Sequence, residues 1–150
     1  MAALVCRLVV VLKGNRQVSG LTKPTRGDKM LTGNDEKQIT DTVNNYIEGL
    51  RDGDAERVAK AFYSTVNLSS LNDDGALVLT PKDSLVELVA SGQVPQNSSE
   101  ILSLEITNDM AVVKVKIDLP RLNYFDYLTL LRMKTAGWKI VSKTYTTIMK

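Results

Sequence analysis

Apolar positions recur along this chain with two periods, first three-and-four, then two. Between Asp35 and Arg51, the residues Ile39, Val43, Tyr46, Ile47 and Leu50 fall three and four apart, which makes one apolar stripe along a helix. Asn34 or Asp35 is positioned to cap its start, and Asp52-Gly53 ends it, glycine being suited to the left-handed conformation beyond a helix. Asp54 caps a second, shorter helix from Ala55 to Phe62 or Tyr63, with Val58, Ala61 and Phe62 inward. Thr80 caps a third, in which Pro81 takes the first position, Leu85, Leu88 and Val89 form the apolar side, and Gly92 is the stop.

The strand periods lie between and after these helices. Val66 to Leu71 and Ala76 to Thr80 flank Asn72-Asp73-Asp74-Gly75, a hairpin signal. Glu100 to Thr107 and Met110 to Leu119 make a second hairpin around Asn108-Asp109, and Ala111, Val113, Val115 and Ile117 alternate with polar neighbours. A third hairpin closes the chain: Tyr124 to Lys134, the turn Thr135-Ala136-Gly137, and Trp138 to Ile148. With a two-residue turn, Thr135 faces Trp138, Leu130 opposes Lys143, Leu128 opposes Tyr145 and Asp126 opposes Thr147. Asp126 and Lys143 then share a face without being direct partners, and a one-residue slip would exchange the faces.

The order α-α-β-β-α-β-β-β-β predicts an α+β domain, with three helices packed on one face of a strongly curved, mainly antiparallel sheet. A bent sheet with helices across its concave side encloses a pocket between the layers, where small ligands bind.

Composition changes this picture in three places. There is no histidine, which excludes Ser-His-Asp and Cys-His mechanisms, and with the single cysteine Cys6 it excludes an internal disulfide and the usual zinc ligand sets. The acidic residues Asp52, Asp54, Asp73 and Asp74 have no calcium-loop spacing and are read as caps and turns, so no metal is expected. The formal charge of +2 is uneven. Residues 1–29 hold Arg7, Lys13, Arg16, Lys23, Arg26 and Lys29 against Asp28, leaving the remainder acidic on balance. Lys114 and Lys116 lie on a solvated strand face or dimer rim without an aromatic platform, so nucleic-acid binding is not expected. The apolar run Ala2 to Leu12, interrupted by Arg7, is too short to span a bilayer and fits a secretory signal poorly. Residues 1–33 are read as a disordered or misassigned extension, with Met30 an alternative start, and residues 34–150 as the domain.

Three strings carry a family resemblance: Tyr46-Ile-Glu-Gly-Leu-Arg-Asp-Gly-Asp54, Asp126-Tyr-Leu-Thr-Leu-Leu131, and Gly137-Trp-Lys-Ile-Val141 with Lys143. They resemble the nuclear transport factor 2-like superfamily of cone-shaped domains, and within it the group named for lumazine binding, close to polyketide cyclase (SnoaL-like) and ketosteroid isomerase relatives. The resemblance covers residues 34–150. It identifies fold better than chemistry, because the superfamily holds isomerases, cyclases, dehydratases and non-catalytic binding modules. By the isomerase pattern Tyr46 falls where an oxyanion-stabilising tyrosine stands. The catalytic aspartate of that pattern falls at Ser70, whose hydroxyl is no general base near neutral pH.

The candidate catalytic groups are therefore Asp126, Lys143 and Tyr46, and the candidate ligand-binding residues are Tyr46, Phe62, Asp126, Tyr127, Trp138, Lys143 and Tyr145. Each has a plainer reading beside the functional one. Tyr46 serves as a core tyrosine with its hydroxyl bonded, Asp126 as an ion pair at the sheet rim, and Trp138 with Ile140 as packing against the first helix. The resulting expectation is a cytoplasmic, cofactor-free domain that binds a small apolar or aromatic organic molecule and pairs as a homodimer through its sheet, without membrane or nucleic-acid partners. Two alternatives stand beside it: an isomerase or cyclase working by proton transfer, and a non-catalytic protein-interaction module.

Overall fold

A computed structural model of the chain describes residues 8–10 and 33–150. The expectation for the N-terminal extension otherwise lies outside the described residues. Leu8–Val10 forms a short strand, β1. The elements that follow are α1 (Gly33–Asp52), α2 (Ala55–Ala61), β2 (Asn67–Leu71), β3 (Leu77–Pro81), α3 (Lys82–Ala90), β4 (Ser98–Thr107), β5 (Met110–Asp118), β6 (Leu122–Met133) and β7 (Gly137–Met149). This is the α+β order read from the sequence, three helices against a mainly antiparallel sheet.

The strands run β1-β4-β5-β6-β7-β2-β3 across one sheet. Every strand pair is antiparallel except β2 with β7, which touch in parallel at two register pairs only, Leu68↔Lys143 and Ser69↔Thr144. Period-two alternation puts Leu104, Ile106, Ala111, Val113, Val115, Leu128 and Leu130 on the face that the helices cover, where each is essentially sealed from solvent. The stripe of α1, namely Ile39, Val43, Tyr46, Ile47 and Leu50, packs onto them in a single core. Gly49 lets α2 come close, because a Cβ there would lie 2.7 Å from Val58 Cγ2 and 3.0 Å from the Asp54 carbonyl oxygen.

Local signals were met unevenly. Asp54 caps α2 by accepting from the Arg57 amide at 3.0 Å, and Gly53 takes the positive φ, +71°, that follows α1. The two other expected caps are corrected. Asn34 and Asp35 both lie inside α1, and Asp35 is buried, where it accepts from Arg132 (2.9 and 3.0 Å) and from the Trp138 indole N–H (3.0 Å). Thr80 belongs to β3, opposite Leu68, and α3 starts after Pro81 without a side-chain cap.

The closing hairpin also differs from its expected register. Met133 pairs with Gly137, so the loop is Lys134-Thr135-Ala136 rather than two residues. Farther along, Leu130 pairs with Ile140 but Thr129 with Ser142, so Val141 is an extra residue in a bulge. Lys143 therefore opposes Leu128, and Tyr145 opposes Asp126, in place of the pairs first inferred. The bulge has a large consequence. Strict alternation would send Lys143 to the face opposite Trp138 and Ile140, whereas the extra residue brings all three to the interior.

Candidate functional site

Three titratable side chains meet inside the helix–sheet layer. Tyr46 reaches in from the apolar face of α1, Asp126 from β6, and Lys143 from β7 one diagonal step from Asp126. Tyr46 and Asp126 are fully buried and Lys143 nearly so. The Tyr46 hydroxyl donates to Asp126 Oδ2 at 2.7 Å and accepts from Lys143 Nζ at 2.5 Å. Lys143 Nζ lies 3.1 Å from the same Asp126 Oδ2, which closes a triangle. Asp126 Oδ1 has no hydrogen-bond partner among the described residues. The ion pair foreseen for Asp126 is thus present, in the interior and not at the rim.

Burial sets the protonation chemistry. It holds the Tyr46 phenol well above its ordinary value of 10.0, and the neighbouring Asp126 charge pushes the same way, so Tyr46 is a neutral donor. Burial also lowers the Lys143 amine from 10.5, against which the Asp126 charge and hydrogen bond act. Tyr124 is raised too, first by burial and then by Tyr145 and Asp126.

Aromatic rings wall this cluster. Phe62 packs edge-on against Tyr46, ring centres 5.2 Å apart. The Lys143 ammonium stands 4.8 Å from the Tyr145 ring, a distance that adds cation–π attraction. Tyr145 in turn lies 5.7 Å from Tyr124. Beyond these two tyrosines a cleft of about 550 Å³ opens, at the seam where β2 leaves β7 after its two pairs. Ser69, Leu71 and Leu77 line one side, and Phe125, Tyr127 and Thr146 the other, with Tyr124 and Tyr145 shared between cleft and cluster. Tyr46 itself is fully buried and does not line this cleft.

The structure thus gathers Tyr46, Phe62, Asp126, Lys143 and Tyr145 in the cluster; of the other two candidates, Tyr127 lines the cleft and Trp138 lies apart from both. Tyr127 faces outward, half-exposed, with Lys114 Nζ 5.3 Å above its ring. Trp138 is buried at the far end of the layer on Asp35 and accepts, at its carbonyl, from Thr42 Oγ1 at 3.1 Å. Ser70 lines the cleft, half-buried on β2. Sequence reasoning passed over Tyr124, although it sits two residues before Asp126 on one strand and so shares its face. Among the described residues, no three Cys, Asp or Glu side chains gather to hold a metal. No helix among them is long and apolar enough to cross a membrane.

Solved structures share this architecture at identities that speak for fold alone. An NTF2-like protein of unknown function from Shewanella baltica OS155 is 23% identical, with TM-score 0.69, covering 79% of this chain and 98% of its own. One from Silicibacter pomeroyi DSS-3 is 22% identical, with TM-score 0.68, covering 79% of this chain and 100% of its own. A ketosteroid isomerase-like protein from Erwinia carotovora atroseptica is 15% identical, with TM-score 0.60, covering 78% and 98%. Among curated proteins none is similar enough to match. The family model described as "Putative lumazine-binding" matches residues 34–146, nearly the whole of the helix-and-sheet layer that holds the buried cluster. With that match the chain belongs to this family, and its fold is the one those NTF2-like proteins share.

Proposed function

We propose that this protein binds a small, largely apolar or aromatic organic molecule in the cleft at the β2–β7 seam, with the Tyr46–Asp126–Lys143 cluster as its polar anchor. The observation that carries the reading is a buried carboxylate with one oxygen unpartnered among the described residues, close to an apolar cleft whose wall includes Tyr124 and Tyr145, the second of them in contact with Lys143. Ligand sites combine an apolar lining with a few fixed polar groups, and about 300–1,000 Å³ is their usual size. Rotation of Tyr124 and Tyr145 would admit the polar end of a guest to Asp126 Oδ1. The ligand needs no cofactor, and a cytoplasmic setting fits a chain with a single cysteine.

The test is a thermal-shift and tyrosine-fluorescence screen across pteridine, flavin, steroid and aromatic polyketide compounds. A binder should raise Tm in proportion to its saturation of the site. Asp126→Asn and Tyr145→Ala should each weaken the effect. If no compound moves either signal at millimolar concentration, the reading fails.

A second reading is favoured by one observation, the neutral buried phenol of Tyr46 bonded to a carboxylate. Turned from Asp126 toward a bound ligand, that O–H would steady a developing oxyanion, which points to an isomerase or cyclase acting by proton transfer. Slow exchange of an α-proton of a bound ketone for deuterium, abolished in Tyr46→Phe, is the signature to seek. We further propose a homodimer through the outer sheet face, where Met110, Val112 and Leu131 stand exposed on neighbouring strands. Sedimentation of the native chain beside Val112→Glu decides between dimer and monomer.

A further inference from the structure

We propose that Lys143 captures carbonyl compounds covalently, its amine condensing with a small aldehyde or ketone to an imine while Tyr46 and Asp126 relay the protons. The proposal rests on the reading that a small molecule passes Tyr124 and Tyr145, and it names the class of that molecule. Lys143 is the one buried lysine among the described residues. Its amine touches two groups that can take and return a proton, the Tyr46 hydroxyl at 2.5 Å and Asp126 Oδ2 at 3.1 Å. The second oxygen of Asp126 is unpartnered and able to serve a reacting group. A nucleophile, a hydroxyl relay and a carboxyl base within hydrogen-bond reach is the arrangement imine chemistry requires.

The steps balance without any oxidant or further reagent. A proton passes from the Lys143 ammonium to Asp126, directly or through the Tyr46 hydroxyl, leaving an amine and a carboxylic acid. Removing both charges together is the change that burial favours, and burial lowers the Lys143 amine. The amine lone pair attacks the carbonyl carbon, forming the C–N bond as the C=O π pair moves to oxygen. One proton then shifts from nitrogen to that oxygen through Tyr46, giving a neutral carbinolamine. Asp126 protonates the hydroxyl, the C–O bond breaks, water leaves, and the nitrogen lone pair closes the C=N bond. The product is an iminium beside the Asp126 carboxylate, so the net change is one carbonyl consumed and one water released, with the ion pair kept.

The experiment treats the folded, full-length protein at pH 7 with propanal, and separately with acetone, in the presence of cyanoborohydride. Peptide-mapping mass spectrometry then follows each lysine in time. Lys143 should gain its alkyl group ahead of the exposed Lys37 and Lys60, by roughly tenfold for each unit through which burial lowers its pKa. Tyr46→Phe should slow that modification while leaving Lys37 and Lys60 unchanged. Labelling of Lys37 and Lys60 with Lys143 untouched overturns the proposal. A native-protein thermal shift with the pteridine and steroid set, run in parallel, separates the two claims. Binding with an unlabelled Lys143 ends covalent capture alone, and a Lys143 labelled ahead of Lys37 and Lys60 upholds capture whatever those compounds do.

Discussion

Asp126→Asn should be one of the most damaging single substitutions in this chain, although it changes one atom. The native carboxylate is fully buried and takes two charge-assisted contacts on Oδ2, from Tyr46 at 2.7 Å and Lys143 at 3.1 Å. The amide cannot balance the ammonium, which stays about as deep as before. Breaking one side of a buried ion pair costs about 3–5 kcal/mol, because the ammonium is left without a counter-charge. Urea unfolding at pH 7, followed by Trp138 fluorescence, measures it. The informative comparison is the triple variant Tyr46→Phe, Asp126→Leu, Lys143→Met, which removes every polar atom of the cluster at similar volume. It should unfold at the wild-type urea concentration or higher, since apolar replacement of buried ionic groups is neutral or stabilising by about 1–4 kcal/mol. Such a variant would keep the fold, so the cluster would not be there for stability. A loss below about 1 kcal/mol for Asp126→Asn, or a triple variant as weak as the single one, would show that the three groups do not meet inside the protein.

Three further outcomes follow from the packing. Trp138→Ala should cost about 3–5 kcal/mol by truncating a buried aromatic that also satisfies Asp35, read as a lower urea midpoint. Gly49→Ala should cost about 1–3 kcal/mol, because the new methyl meets Val58 and the Asp54 carbonyl; Val58→Ala in the same chain should recover part of it. Tyr46→Phe should change the alkaline limb of stability. A phenol raised in the folded state contributes fully below pH 10 and loses its contribution as pH climbs toward the folded value, so the wild type weakens above pH 10. Lys143, lowered on folding, acts oppositely as pH rises toward 10.5, so the difference curve between wild type and Tyr46→Phe isolates the phenol.

The fold was legible because its signals are local. The stripe on α1, the glycine after it, the Asp54 cap and the Asn72–Gly75 turn each act within a few residues, and each was where its chemistry put it. Asp35 shows where local reading stops. An acidic residue in a first helical turn is ordinarily a solvent-side partner of the helix dipole, yet here it is buried against residues 97 and 103 positions away. Nothing within the helix records that the far hairpin supplies an arginine and an indole. The buried cluster was legible in its members but not in its geometry. Tyr46, Asp126 and Lys143 were singled out from the chain, while their meeting depends on a three-residue loop and one extra residue in β7.

That extra residue can be tested directly. Val141 and Ser142 together occupy one outward step between Ile140 and Lys143, so the pairs Leu130↔Ile140 and Leu128↔Lys143 hold on either side of the bulge. Deleting Val141 should leave both pairs intact and flatten the strand locally, with Lys143 still inside. The variant should therefore fold, at a modest cost for the lost bend, and keep the alkaline instability that marks the buried phenol. If Val141 were an ordinary member of the ladder, its removal would swing Lys143 and Tyr145 to the solvent face and strand the Asp126 carboxylate in the core. That outcome carries the same loss of about 3–5 kcal/mol as breaking the ion pair, together with a Lys143 as open to amine reagents as Lys37. The two cases differ by enough to be told apart in a single urea titration, and the first follows from the two-for-one count alone: the bulge lets a strand that begins with Trp138 and Ile140 inside the core also deliver a lysine to it.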